Sequence, residues 1–439
     1  MAKLPLEGIR VIDITMVWAL PWTGAMLGEL GAEVIRVEQL QRYPRLTRGI
    51  FPKPTREIAE MLGTIGSGFP DGDPGERPWD RFAMFNGIQR SKLSCTMDLE
   101  RPEGVELFKR LVSVSDGFIE NNAPEVMDKL GLTWEVLSEV NPRLVYVRAP
   151  GYGLSGPYRN YSGLGMIFES VAGHSWTWWY DNDDMSGILP CFHADAAAGA
   201  SALFALMMGL HHREKTGRGQ LVDLGQCENF LPHLGEAFMD YTMNGRIRGT
   251  MCNRHPTAVQ GVYLCKGAKP SLETPPGEDH WVAITIENDE EWEDFCRAIG
   301  NPDWTKEKRF SDCLSRLKNQ DDLDKLIEDW TSKHDKYEVM HALQREGVPA
   351  GAVLNSRDAF NDPHLKERGW PVELTHRECG THMYPGPVWH MSKAPSRVFQ
   401  APCLGEHNEY VYKKVLGISD EEYDRLVKEE HIGDTYIGI

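Results

Sequence analysis

The fold is decided by the opening stretch of the chain, residues 9–38, which reads IRVIDITMVWALPWTGAMLGELGAEVIRVE. Residues 9–14 form a short apolar run that predicts a buried strand, and residues 22–30 predict a helix that ends at Gly31. Residues 33–38 predict the next strand. A strand, a helix and a second strand in this order indicate parallel strands joined by a right-handed crossover.

The same alternation continues through the first third of the chain. Residues 102–114 and 133–140 have the apolar spacing of helices, whereas residues 118–120 and 144–147 have the composition of short buried strands. Repeated alternation of this kind predicts the α/β class, with a Rossmann-like domain built on a parallel sheet.

Composition divides the chain into three parts. Residues 1–225 carry the α/β pattern, residues 226–345 contain acidic helices, and residues 346–439 return to β-type segments with Gly and Pro turns. We therefore expect a large domain built from both chain ends and a smaller inserted α+β domain. Residues 40–81 form a long aperiodic segment rich in Pro, Gly and Arg, and its role, as a lid or a dimer contact, stays open at this point.

Charge and hydropathy exclude several classes of protein. The 439 residues include 47 Lys+Arg and 65 Asp+Glu, and the formal net charge of -18 disfavours binding to nucleic acid. Gly and charged residues interrupt the apolar runs, so no membrane-spanning segment is predicted. The first residues lack the pattern of a secretory signal, and a cytoplasmic location is expected.

Common cofactor and metal motifs are absent from the sequence. The nine cysteines are scattered and include no C-x-x-C pair, so no zinc site is predicted. Residues 151–156, GYGLSG, match G-x-G-x-x-G, but PYRN at 157–160 does not open a helix. We expect a turn-rich loop there, and neither a metal nor a tightly bound cofactor.

A series of short motifs runs along nearly the whole chain. In chain order they are LEGIRVID at 6–13, LGELGAEVI at 27–35, QRSK at 89–92, TMDL at 96–99, EN at 120–121, VMDKLGL at 126–132, NPRL at 141–144, GYG at 151–153, GPY at 156–158, KTGRGQ at 215–220 and GVPAG at 347–351. Their order and spacing resemble the class III CoA-transferases, the CaiB/BaiF family. The resemblance implies two subunits interlocked like links, either a homodimer or a heteromer with a related subunit. It also implies a coenzyme A thioester as substrate.

Asp195 is the catalytic residue that the resemblance implies. The family's nucleophile is an Asp at the start of the long helix before a T-G-x-G-Q turn, and residues 195–213 predict that helix here. An Asp in this place also caps the helix, and the helix N-terminus keeps the carboxylate ionised, as a nucleophile must be. The small residues after Asp195 are expected to leave space for a thioester. The implied reaction moves CoA from a donor such as succinyl-CoA to a carboxylic acid, through an aspartyl anhydride and an aspartyl-CoA thioester.

The resemblance also assigns a set of residues to CoA binding. They are Trp18, Ala19, Gln39, Arg90, Ser91, Lys92, Asn121, Asn122, Ala123 and Lys129. Arg90, Lys92 and Lys129 are expected to meet the phosphates, with solvated surface charge as the alternative. Gln39 stands where some members carry Arg, so one phosphate contact is expected to be missing.

Two departures from the family pattern concern the acid–base residues. Racemases of the family have a Gly-His-Asp triplet, whereas this chain has Gly163-Leu164-Gly165, which disfavours the racemase alternative because the proton-transferring base is missing. Many transferases keep a carboxylate where Gly165 stands. Glu169, one helical turn further, either supplies that carboxylate or lies on the surface. A supporting, non-catalytic subunit of a heteromeric transferase is the second alternative.

Residues 174–180, HSWTWWY, are unusually aromatic. They predict either core packing or a dimer contact, or an aromatic wall for the acceptor substrate. The second alternative favours a bulky or aromatic acceptor acid such as benzylsuccinate.

Overall fold

The largest sheet of the protein has six parallel strands. The computed structural model describes residues 3–61, 68–180, 185–187, 191–267 and 280–438. The strands of this sheet are β1 Arg10–Asp13, β2 Glu33–Glu38, β3 Leu93–Thr96, β4 Gly117–Glu120, β5 Val145–Arg148 and β6 Gln220–Asp223. Their spatial order is β3-β2-β1-β4-β5-β6, and every pairing is parallel. The predicted α/β class with a parallel sheet is confirmed.

Helices follow most of the strands, as the alternating pattern predicts. The helices are α1 Ala19–Glu29, α2 Arg56–Met61, α3 Pro78–Arg81, α4 Ala83–Ile88, α5 Pro102–Ser113, α6 Pro124–Lys129, α7 Trp134–Val140, α8 Gly165–Ala172, α9 His174–Thr177, α10 His193–Thr216, α11 Gln226–Phe230, α12 Gly235–Asn244, α13 Asp289–Ala298, α14 Cys313–Lys318, α15 Gln320–Thr331, α16 Lys336–Arg345, α17 Ser356–Asn361, α18 Pro363–Glu367 and α19 Asp420–Lys428. Pro102 and Pro124 each occupy the first turn of their helix, where the missing N–H costs no hydrogen bond. The glycine motif at 151–156 forms turns before α8, and this confirms the predicted loop.

The aperiodic segment after β2 is anchored to the sheet by charge. The guanidinium of Arg48, which is fully buried, pairs with Glu38 at 2.6 Å and with Asp80 at 2.8 Å. Arg48 therefore ties the beginning of the segment to its end and to the carboxyl end of β2. Residues 62–67 lie outside the described residues.

The chain divides into two compact units, and their boundaries differ from the predicted ones. One unit comprises Met1–His174, Leu189–Arg246 and Gly369–Ile439, and the other comprises Ser175–Ile188 and Ile247–Arg368. The predicted boundaries after residues 225 and 345 lie earlier in the chain than the divisions after Arg246 and Arg368. Gln226 donates a side-chain hydrogen bond to the carbonyl of Ala149 at 2.7 Å, which holds α11 to the end of β5. The strand Ala350–Ala352 pairs with Trp281–Ile286, so the second unit extends beyond residue 345.

The second unit has its own small sheet and core. Its antiparallel strands are β7 Val259–Leu264, β8 Trp281–Ile286 and β9 Ala350–Ala352. Buried residues of α13, α15 and α16, among them Phe295, Ile327 and Leu343, pack against this sheet. A separate antiparallel pair, β10 Pro371–His376 and β11 Gly380–Pro385, belongs to the first unit.

One helix among the described residues, α10, is long and apolar enough to cross a membrane by length and composition alone. Half of its most apolar window is buried, and Ala198, Ala202 and Leu206 lie in the core beside β5. These contacts are those of a core helix.

Candidate active site

The candidate site lies at the carboxyl edge of the six-stranded sheet. The strand order reverses between β1 and β4, and ligands of open α/β sheets bind at such a switch point. Residues 16–18 follow β1 there, and residues 121–124 follow β4. Both segments line a cavity of about 600 Å³.

Asp195 lies at the start of α10 and lines this cavity. α10 directly precedes β6, so its N-terminus lies at the carboxyl edge of the sheet. Thr23 of α1 donates a hydrogen bond to the carbonyl of Gly199 at 2.8 Å, and a Cβ on Gly199 would lie 2.6 Å from the carbonyl oxygen of Ala19. The small residues after Asp195 thus serve the close packing of α10 on α1. Ala197 and Ala198 are buried, whereas Ala196 is exposed, and the space for a thioester beside these residues stays a prediction.

Two opposing effects set the charge of Asp195. Burial, and then the nearby Glu169 carboxylate, raise the pKa of the Asp195 carboxyl from 3.8 to about 6. Its place in the first turn of α10 favours the anion, because the first N–H groups of a helix present partial positive charge. At pH 7 the carboxylate is mostly ionised, which the proposed nucleophile requires.

Gly165 leaves the space that the Asp195 carboxylate occupies. A Cβ built on Gly165 would lie 1.7 Å from Oδ2 of Asp195, far below any contact distance. The carboxylate that many family members carry at this position therefore has no room beside Asp195 in its present place. In this chain, a glycine at position 165 is therefore required for the Asp195 carboxylate to occupy its present place.

We expect Gly165→Ala to lower kcat by about 100-fold, since displacement of a reacting group by about 1 Å has effects of that size. The expected cause is movement of the Asp195 carboxylate by the new methyl group. Steady-state kinetics of CoA transfer with the purified variant measure the loss. The matched control is Gly235→Ala, since a Cβ on Gly235 meets nothing within 4 Å. Equal kcat values for the two variants would contradict the expectation.

Glu169 lies on α8, and only 3% of its surface is exposed, so the alternative that it is a surface residue is wrong. Its Oε1 accepts the backbone N–H of Ala194 at 3.0 Å. Its Oε2 lies 3.3 Å from Nδ1 of His174 and accepts the Cys191 thiol at 3.4 Å. The side chains of Glu169, His174 and Cys191 each place one atom that could bind a metal within 4.8 Å of the other two. No other such group occurs among the described residues. The hydrogen bonds to Glu169 account for this proximity.

Four of the predicted CoA residues line the cavity that contains Asp195. They are Trp18, Asn121, Asn122 and Ala123. Asn121 accepts the N–H of Met16 at 2.7 Å and donates to its carbonyl at 2.9 Å, which fixes the loop after β1 against the end of β4. Ala19 is buried at the start of α1.

A second cavity, of about 430 Å³, adjoins the first. Gln39 lines it together with Arg42 and Arg45, and Met16 and Asn122 line both cavities. Within the described part of the chain, neither Arg42 nor Arg45 forms an ion pair, so both guanidiniums can meet an anion. Neither arginine is among the CoA residues predicted from the sequence, although RYPR at 42–45 is a basic signal in the aperiodic segment.

The structure places Arg90, Ser91 and Lys92 inside the fold. Arg90 pairs with Glu29 at 2.6 Å, and both side chains are almost fully buried. Lys92 is fully buried and pairs with Asp13 at 2.6 Å. Since both charges are neutralised internally, the expectation that Arg90 and Lys92 meet phosphates is wrong for this arrangement. Ser91 exchanges hydrogen bonds with the backbone of Phe399 at 3.0 Å.

Lys129 lies on the surface of α6. Its side chain is 71% exposed and pairs with Glu125 at 3.0 Å. Its neighbours Val126 and Leu130 line the second cavity, whereas Lys129 is not among the described residues that line either cavity.

Aromatic side chains surround the Asp195 cavity. Trp18 and Phe192 meet edge to face with ring centroids 5.1 Å apart, and Phe82, Tyr161 and Phe168 are further lining residues. These lining aromatics are scattered along the sequence, and an aromatic wall formed by residues 174–180 stays a prediction.

The sequence and the fold are similar to those of known proteins. A family model described as CoA-transferase family III matches residues 6–408. The chain is 31% identical over 425 residues to the succinyl-CoA–L-malate CoA-transferase beta subunit of Chloroflexus aurantiacus, covering 96% of this chain and 97% of that protein. It is 30% identical over 414 residues to the succinate–glutarate CoA-transferase of Agrobacterium fabrum, covering 93% and 95%.

A solved structure of a CaiB/BaiF family protein from Brucella suis is similar in fold. The TM-score is 0.76 and the sequence identity is 27%. The match covers 94% of this chain and 100% of the Brucella suis chain. The chain belongs to CoA-transferase family III. It is therefore an enzyme whose substrates are CoA thioesters and carboxylic acids.

Proposed function

We propose that this enzyme transfers CoA from an acyl-CoA donor, with succinyl-CoA as the expected one, to a bulky or aromatic carboxylic acid, through covalent intermediates on Asp195. The observation that carries the proposal is the half-buried, ionisable carboxylate of Asp195 in the wall of a cavity of about 600 Å³. Family membership supports the reaction class, and two relatives are named for succinyl-CoA or succinate.

The proposed reaction begins when an Asp195 oxygen attacks the carbonyl carbon of the donor thioester. The C–S bond breaks, the CoA thiolate leaves with the electron pair, and a mixed anhydride of Asp195 remains. The thiolate then attacks the Asp195 carbonyl carbon and expels the donor carboxylate, which leaves an aspartyl-CoA thioester. The acceptor carboxylate repeats these two steps in reverse order and frees Asp195. Each step exchanges one acyl bond for another, so no ATP, redox partner or net proton transfer is required.

Apolar walls suit these intermediates, because anhydrides and thioesters hydrolyse when water reaches them. Trp18, Phe168 and Phe192 line the same cavity as the Asp195 carboxylate, and we expect their apolar surfaces to limit its contact with water. We place the nucleotide end of CoA in the second cavity, where Arg42 and Arg45 supply phosphate partners. The pantetheine arm would then pass Met16 and Asn122, which line both cavities.

The lining residues support an aromatic acceptor of the benzylsuccinate kind. Phe82, Phe192 and Trp18 offer ring faces and edges for a phenyl group. Arg159 is the one cationic side chain among the described lining residues. It pairs with Asp128 at 3.3 Å in a partly exposed position, and we expect it to meet the second carboxylate of a dicarboxylic acid as well. No histidine occurs among the same residues, and Leu164 stands where a racemase needs its base, which argues against α-proton transfer.

We further propose that the enzyme is cytoplasmic and works as an interlocked pair of subunits, identical or related. Residues of α12 support a subunit contact, since Phe238, Met239, Tyr241 and Met243 expose between 44% and 73% of their surface on one short helix. A similar protein is named as a beta subunit, which supports a heteromer as one form of this pair.

Trapping of the covalent intermediate tests the function. We expect hydroxylamine to convert Asp195 into its hydroxamate, and borohydride to reduce it to the alcohol, after incubation of the enzyme with succinyl-CoA. Mass spectrometry of the peptide that contains Asp195 detects either product. Asp303→Asn is the matched control, because the Asp303 side chain is fully exposed, and it should be labelled like the wild type.

The same assay, run with a panel of acceptor acids, tests the acceptor class. Arylalkyl dicarboxylic acids should discharge the aspartyl-CoA thioester faster than malate or glutarate does. An enzyme that binds CoA but stays unlabelled, alone and with a related subunit, would contradict the proposed mechanism.

A further inference from the structure

The N-terminus of α10 is capped by a side chain from another helix. The residue before α10, Phe192, has a φ of 53° and makes no side-chain capping hydrogen bond. The first N–H groups of a helix have no partner within it, and a buried end needs acceptors from elsewhere. Glu169 of α8 supplies one, since its Oε1 accepts the N–H of Ala194 at 3.0 Å.

Glu169 is held in this place from its other side. Its Oε2 accepts the thiol of Cys191 at 3.4 Å and lies 3.3 Å from Nδ1 of His174. Burial raises the pKa of the Cys191 thiol, so the thiol remains protonated and can donate. Both oxygens of the Glu169 carboxylate thus have partners, and their positions fix the orientation of the carboxylate.

Ala194 is the neighbour of Asp195 in the chain, so whatever fixes the N–H of Ala194 also fixes the backbone of Asp195. We propose that Glu169 is a positioning residue for Asp195, which caps α10 from α8 and sets both the place and the charge environment of the nucleophile. The inference rests on the proposed function in one respect, namely that Asp195 is the nucleophile.

The charge of Glu169 acts on each state of Asp195 differently. Free Asp195 is an anion and is repelled by the neighbouring carboxylate, whereas the anhydride and the thioester of Asp195 carry no charge at this carbonyl. Repulsion therefore raises the free energy of free Asp195 relative to the acylated enzyme. Consistently, Glu169 contributes to the raised pKa of Asp195, after burial. A more basic carboxylate is also the stronger nucleophile.

Other ionisable groups surround the same region and must be considered in any pH experiment. They are His174 after α8, Cys191 and His193 at the start of α10, His233 beside His193, and Arg159 and Tyr161 in the cavity wall. None of these groups is a carboxylate, so replacing Glu169 removes the carboxylate that repels Asp195 and leaves these groups in place.

The test is Glu169→Gln, because the Gln carbonyl can still accept from Ala194 while the charge is lost. For the wild type, kcat/KM for CoA transfer should fall tenfold per pH unit below about pH 6, since protonated Asp195 cannot attack. For Glu169→Gln, we expect this acid limb to move to lower pH by about one unit, the effect of removing a nearby like charge. Glu228→Gln, at an exposed position on α11, should leave the limb in place.

A second readout separates this inference from the proposed function. NMR of enzyme labelled with ¹³C at the aspartate carboxyl carbons follows the Asp195 titration directly, with Asp195→Asn for assignment. A lower midpoint in Glu169→Gln supports the coupling even if CoA transfer is absent, in which case only the nucleophile assignment fails. An unchanged midpoint and an unchanged acid limb in Glu169→Gln would overturn the inference.

Discussion

Asp195→Ala is expected to lower kcat for CoA transfer by at least about 10⁴-fold, the size of effect seen when a covalent nucleophile is removed. The variant should keep its fold, because the Asp195 side chain is only half-buried and lines a cavity. Its apparent affinity for CoA should stay within a few-fold of the wild type, since we assign CoA binding to other residues. Turnover is measured by chromatography of the CoA thioesters, and CoA affinity by calorimetry.

The control for this loss is Asp303→Asn, at the fully exposed Asp303 position. It changes the same functional group at a position that lines neither of the two described cavities, and it should retain wild-type kcat. A residual kcat above about one-hundredth of the wild-type value in Asp195→Ala would show that another group carries the acyl transfer.

The second large effect is expected on stability, at Lys92. Lys92 is fully buried, and its ammonium contacts the Asp13 carboxylate at 2.6 Å, the carbonyl of Pro21 at 2.7 Å and Oε1 of Gln89 at 2.6 Å. Lys92→Met leaves Asp13 as a buried charge that has lost its nearest cation, with Arg36 remaining at 3.7 Å. We expect the free energy of unfolding to fall by about 3–5 kcal/mol, as for other broken buried pairs. Urea denaturation followed by circular dichroism measures the change.

Lys129→Met is the matched control, because Lys129 is also a paired lysine but its side chain is 71% exposed. We expect its free energy of unfolding to change by less than about 0.5 kcal/mol. Equal unfolding midpoints for the two variants would mean that the Lys92–Asp13 pair does not stabilise the fold. Unchanged CoA affinity in both variants would agree with the phosphate contacts placed at Arg42 and Arg45.

The sequence predicts the sheet well because the information is local. The local pattern of residues 33–38 predicts a strand, and β2 Glu33–Glu38 has the same bounds. The helix expected over 195–213 begins two residues earlier, at His193. The domain boundaries depend on distant partners, such as the pairing of β9 with β8, and no local pattern reveals such partners.

The charged residues show the limit of the sequence more clearly. QRSK at 89–92 contains two cations, and only the tertiary structure shows that both are paired within the fold, Lys92 with a residue 79 positions away. Arg42 and Arg45 have the same charge but lie beside a cavity. The sequence likewise leaves open whether Glu169 has an active-site or a surface role. Its hydrogen bond to Ala194 depends on the packing of α8 on α10, which no local pattern reveals.

The meeting of the two cavities at Met16 and Asn122 has a consequence for the order of events. If the nucleotide of CoA binds in one cavity and the acyl group reacts in the other, CoA acts as a tether. The donor thioester and the product thioester then share the same bound CoA group. The tether need not dissociate between the two half-reactions, and only the carboxylic acids exchange beside Asp195. Interactions with the nucleotide can then hold the thioester sulfur close to Asp195 and Glu169, although the two carboxylates repel each other. A shortened thioester that lacks the nucleotide should therefore lose reaction rate more than binding affinity.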